Sequence, residues 1–264
     1  MKINIHCVDK YASEKRAYGV EPDVSAREAF RNLTDENPTN NAYSWAMGSL
    51  DATLSWIFYE WHRSHSLNLI RSTVGQVVDR VHEVNRLASN QGLRRLHDIF
   101  LLQAAILSGS KAIMREAASL AGGYDGMIEH AYPWGLVELY KRAILDDDAG
   151  IKSAFELMMK SRPSPPYRMP LKSVVTDFVL KEQKKFAQTL QRVWTREWKL
   201  LEVRQRGVIN RTDECIIVSL RERGANDLWP WPEVAFAKLA ILRDWKIPND
   251  CLWCPEEFVT SFCD

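Results

Sequence analysis

The chain has no excess of charge of either sign. Its 35 lysines and arginines stand against 34 acidic residues, a formal net charge of +1, so the overall balance directs it neither to nucleic acid nor to an anionic membrane surface. No apolar run reaches the length of a membrane-spanning helix, and residues 1–20 are polar, without the apolar core of a signal peptide. A cytoplasmic location is expected. Cysteine is sparse and odd in number: Cys7, Cys215, Cys251, Cys254 and Cys263 are scattered along 264 residues and do not form a disulfide framework. The sequence also lacks a nucleophile elbow, a kinase set and a phosphate-binding glycine loop; Gly122-Gly123 has neither the lysine nor the following hydroxyl of a P-loop. No enzymatic activity and no cofactor are expected.

What is present is helical periodicity in a chain that is 46% apolar and long enough to bury a sizeable core. Ser25 and Glu28 form a capping-box pattern for a first helix. Apolar residues then follow helical spacing from Tyr43 to about His65, and again from Leu67 to Ala88, which predicts an antiparallel pair. Next come two helices joined by a short polar turn, LRRLHDIFLLQAAIL-SGS-KAIMREAASLAGG, closing on Gly122-Gly123, where a left-handed cap is expected. The layout recurs at 134–160 as WGLVELYKRAIL-DDDAG-IKSAFELMMK. Ala105-Ile106-Leu107 aligns with Ala143-Ile144-Leu145, and a third Ala-Ile-Leu stands at 240–242. This pattern predicts an all-α fold of stacked antiparallel helical hairpins, a repeat-like bundle.

Residues 161–170, SRPSPPYRMP, cannot be helical throughout and read as a linker. The chain is therefore expected to be one helical domain, or two lobes (1–160 and 171–264) on either side of that segment. Beyond it, one long helix is predicted from Leu171 toward Arg206, with basic residues outnumbering acidic ones between Lys181 and Arg206. Thr212, Asp213 and Glu214 then signal a helix over CIIVSLRERG. The short Ile3, Ile5 alternation and the β-prone Cys215–Val218 form no strand series. The tryptophan-rich stretch from Trp229 to Phe258 predicts a helix begun by Pro232-Glu233 and a last short helix begun by Pro255-Glu256-Glu257. Its expected role is a lid over the helical stack.

Four side chains have a spacing that raises the question of metal. His62 and His65 are at i, i+3 near a helix end, but zinc-protease spacing places two histidines four apart with an intervening glutamate. Cys251 and Cys254 form the only CxxC, and no second half follows it. The expectation is solvated histidines, structural thiols and no metal. Carboxylates cluster in Asp146-Asp147-Asp148, with Asp125 and Glu129 before them. In a hairpin turn such aspartates serve as caps and dipole partners, and they also suit a basic partner surface, where carboxylates imitate phosphates.

The hairpin AAILSGSKAIMREAASLAG, the second layout ending in FELMMK, and the block WPEVAFAKLAILRDWKIPNDCLWCPEEF resemble the helical immunity proteins of bacterial polymorphic toxin systems, in particular the immunity-protein family numbered forty-nine. The resemblance covers 93–264. It implies a cytoplasmic, helical, non-enzymatic protein that binds a cognate protein toxin, encoded by the adjacent gene, and neutralises it by occluding its active site, with no membrane and no nucleic acid involved. Such families carry no transferable active-site residues, so Asp146, Asp147, Asp148, Asp125 and Glu129 are the candidate toxin contacts from the sequence alone. Two other functional classes fit the residues: a helical-repeat adaptor for protein partners, and a helical metal-dependent enzyme using His62, His65 and carboxylates.

Overall fold

The computed structural model describes residues 2–3, 66–68, 71–72, 95–124, 126, 128, 131–161, 169–204, 210–212, 215–217, 231–247, 256–260 and 262. The helices predicted at Ser25 and over Tyr43–His65, most of Leu67–Ala88, and His62, His65, Cys251, Cys254, Asp125 and Glu129 lie outside these residues. The chain divides into two compact units, one of Met1–Arg80 with Thr195–Pro230, the other of Val81–Trp194 with Trp231–Asp264. The proline-rich segment thus lies within the second unit, whose helices before and after it pack together.

In the first unit, three strands of two or three residues form a small sheet in the order β1-β3-β2: β1 (Lys2–Ile3), β2 (Asn210–Thr212) and β3 (Cys215–Ile217). β3 pairs parallel to β1 with Ile3 opposite Ile216, and antiparallel to β2 with Arg211 also opposite Ile216. The helix expected to start at Cys215 is corrected here to a strand. β-branched Ile216 and Ile217 suit a pleated ladder, and the brief extended signal at Ile3 was its other half.

Among its described residues the second unit is all-α. Its helices are α1 (Arg95–Ser108), α2 (Lys111–Leu120), α3 (Ala131–Ile144), α4 (Asp148–Met158), α5 (Met169–Val179), α6 (Gln183–Arg204), α7 (Trp231–Ile241) and α8 (Glu256–Thr260); the division between units falls within α6, after Trp194. The two predicted hairpins are α1–α2 and α3–α4. Gly109 turns the first with φ 73°, and Ser110 caps α2 by accepting from the Ile113 N–H at 3.3 Å. Asp147 caps α4 by accepting from the Gly150 N–H at 2.9 Å. α3 and α4 cross in close contact at Gly135, where a Cβ would lie 2.4 Å from the Met158 backbone nitrogen. Pro133 is tolerated because it lies in the first turn of α3.

The predicted long helix is two helices. α6 has 22 residues, and α5 before it is separated by the turn at Leu180–Glu182, with Lys181 at φ 57°. The fold-back makes a third hairpin, in which Phe178 meets Phe186 at 5.9 Å between ring centroids and the Thr189 hydroxyl donates to Asp177 at 2.5 Å. The apolar stripe does lapse here: the positions three and four after Phe178 are Lys181 and Glu182, which a continuous helix would have turned toward the core.

α7 is not a lid. Every residue from Val234 to Ala240 is buried, and the helix packs against α1 and α5, as expected of a helix that is apolar on all sides. Phe236 stacks on Tyr140 of α3 at 4.9 Å and meets Phe178 of α5 edge-on at 5.4 Å. Trp245, just past α7, contacts Phe178 and Phe186 at 5.6 and 5.4 Å. Such pairs contribute about 0.5–1.5 kcal/mol each beyond their area. The core is therefore centred on the helix that the sequence pattern placed at the edge.

Candidate functional site

Helices α3, α5 and α7 bring their C-termini to one end of the second unit, and each ends in the same way. The turn amides of Asp147, Glu182 and Trp245 donate to Arg142, Asp177 and Ala240, and those of Asp146, Lys181 and Asp244 donate to Ala143, Phe178 and Ile241. This is the paired bonding of the Schellman motif. Its left-handed position is usually glycine, yet here it holds Asp146 at φ 56°, Lys181 at φ 57° and Asp244 at φ 60°. α1 uses a variant in which Ser108 Oγ donates to the Ala105 carbonyl at 2.6 Å and accepts from the Ser110 N–H at 3.2 Å. The Ala-Ile-Leu triplets of the sequence thus mark the last turns of α1, α3 and α7.

Converging helix C-termini each present about half a negative charge, and Asp146 and Asp148 add full ones. Arg243 answers them. Its Nη1 donates to Asp148 at 3.0 Å and its Nη2 to Asp146 at 3.1 Å, with the guanidinium carbon 5.3 Å from the centre of the Phe178 ring. Lys181 also pairs with Asp148. The Lys181 hydrogen bond, assisted by Arg243, holds the Asp148 carboxyl below the ordinary carboxylate range. Arg142 Nη1 reaches Asp147 at 3.1 Å. The opposite end reverses the signs, since the buried carboxylates Asp98 and Glu233 occupy the first turns of α1 and α7, where the dipoles favour them.

Of the two uses expected of Asp146–Asp148, the cap and dipole use is seen at Asp147 and Asp148. Asp147 is a helix cap, and Asp148 is tied to two cations. Only Asp146, with its side chain 84% exposed, presents an open carboxylate edge. The residues missed from the sequence are Arg243 and Lys181, which close the clamp, and Leu145 and Leu180, which stand 54% and 58% exposed immediately before the left-handed residues of α3 and α5. Their shared signal is a leucine followed by charge at a helix end. Among the described residues no group of histidine, cysteine and carboxylate side chains could hold a metal ion, and no helix is long and apolar enough to cross a membrane.

The expected left-handed cap at Gly122-Gly123 is also absent. The chain leaves α2 extended at Ala121, φ −60° and ψ 135°. Lys141 supplies the cap instead, its ammonium donating to the Ala121 and Gly122 carbonyls at 3.1 and 3.2 Å, while buried Asp98 accepts from the Gly122 N–H at 3.0 Å.

The class defined by this architecture is an all-α stack of helical hairpins with a charge-clamped end that exposes two leucines. Compared with known proteins, the chain matches no family model, no curated protein and no solved structure.

Proposed function

We propose that this chain is an immunity protein: a non-enzymatic helical scaffold that binds a cognate antibacterial protein toxin in the cytoplasm and blocks its active site. The observation that carries the reading is the clamped end of α3, α5 and α7. It combines two exposed leucines with a charged rim over hydrogen-bonded helix ends, an apolar patch in polar surroundings as at a protein contact surface. The hairpin sequences that resemble an immunity family form the scaffold beneath this end. Leu145 and Leu180 are the proposed anchors and Asp146 the proposed polar contact.

The test is co-expression with the toxin encoded by the adjacent gene, followed by gel filtration of the mixture. Rescue of growth and a co-eluting complex are expected; undiminished killing with no complex abandons the reading. One observation favours a second reading, a helical-repeat adaptor: α1 and α3 run side by side, linked by Gln103 Nε2 donating to the Tyr140 hydroxyl at 3.1 Å, as neighbouring hairpins do in solenoids. An adaptor takes several unrelated partners, so a single tight partner separates the two.

A further inference from the structure

We draw no further inference here: the strongest candidate, the surface patch around Leu145 and Leu180 at the clamped end of α3, α5 and α7, belongs to the site already described, and its exposed carboxylates Asp146 and Asp244 are balanced by exposed Lys184 and Lys246, so nothing in the structure shows what covers it.

Discussion

Gly135 of α3 faces the backbone of Met158 of α4 so closely that a Cβ at 135 would lie 2.4 Å from the Met158 nitrogen and 2.5 Å from its Cα. A backbone cannot swing aside as a side-chain tip can. Gly135→Ala is therefore expected to push the α3–α4 hairpin apart at a cost of about 1–3 kcal/mol or more, the range for overpacking a well-filled core. Gly123 is the contrast, since nothing lies within 4 Å of its Cβ position and its φ is not positive. Gly123→Ala should be neutral or stabilising by up to about 1 kcal/mol through the unfolded chain. Urea unfolding of both variants checks the difference in sign.

The three left-handed residues at the clamped end predict unequal responses to glycine. A side chain in this conformation costs roughly 1 kcal/mol. Asp244 is exposed, so Asp244→Gly should raise stability by up to about 1 kcal/mol, less what the more flexible unfolded chain gives back. Asp146→Gly relieves the same strain but gives up the bond to Arg243, and Lys181→Gly gives up the pair with Asp148. Both should fall below Asp244→Gly in thermal midpoint. Equal gains at all three positions would show that the clamp adds no stability.

Asp148 makes the clamp sensitive to acid. Its folded carboxyl is held below the ordinary value of 3.8, first by the Lys181 hydrogen bond. A depressed folded pKa contributes stability that is fully present above the unfolded value and is lost as pH falls through the folded one. Both partners are partly exposed, so screening by solvent and salt keeps the effect small. Asp148→Asn should flatten the stability curve below about pH 4, and wild type and variant should converge in strong acid. A variant that tracks wild type through that range would remove the pair from the acid response.

The hairpins were legible because their signals are local: the Ser-Gly-Ser turn, the aspartates before α4 and the Pro-Glu-Glu start of α8 each act within one turn of chain. The break at Lys181 was not, because the turn carries neither glycine nor proline and its fold-back is set by Phe178, Phe186 and Trp245 meeting from separate segments. The same cause hid the clamp. Arg243 and Asp146 look like ordinary surface charges until α7 is placed beside α3, and a run of three aspartates reads as free charge unless its cations, far along the chain, are known. α7 was misplaced as a lid although its pattern held the answer, since a helix with one polar residue between Val234 and Ala240 has no side left for water.

Tyr132 predicts the alkaline limb. Its hydroxyl is pushed up from 10 to about 12, mainly by burial and secondarily by the charge of Glu233. For a raised folded pKa, the contribution is fully present below the unfolded value and is lost as pH rises through the folded one. Stability should therefore fall between pH 10 and about 12, and Tyr132→Phe should reduce that fall. Denaturation midpoints across that range, read with phenolate absorbance, check it; an unchanged slope in the phenylalanine variant would assign the alkaline limb to other groups.

A contact surface can be tested only by variants that leave the scaffold intact, which rules out removing all three aspartates at once. Asp147 caps α4, and its loss alone should cost about 0.5–2 kcal/mol, so weaker binding by a triple variant would report folding as much as recognition. Leu145 and Leu180 avoid this problem. Both are exposed, and substitutions at such positions change stability by no more than about 0.5 kcal/mol. If the clamped end receives the toxin, Leu145→Glu with Leu180→Glu places two charges where apolar anchors are needed and should weaken binding by at least ~100-fold, the scale of an interface hot spot. Asp146→Asn should weaken it less and reduce its salt dependence, since it removes one exposed charge. Wild-type affinity in the double leucine variant, with an unchanged thermal midpoint, would move the contact surface elsewhere on the chain.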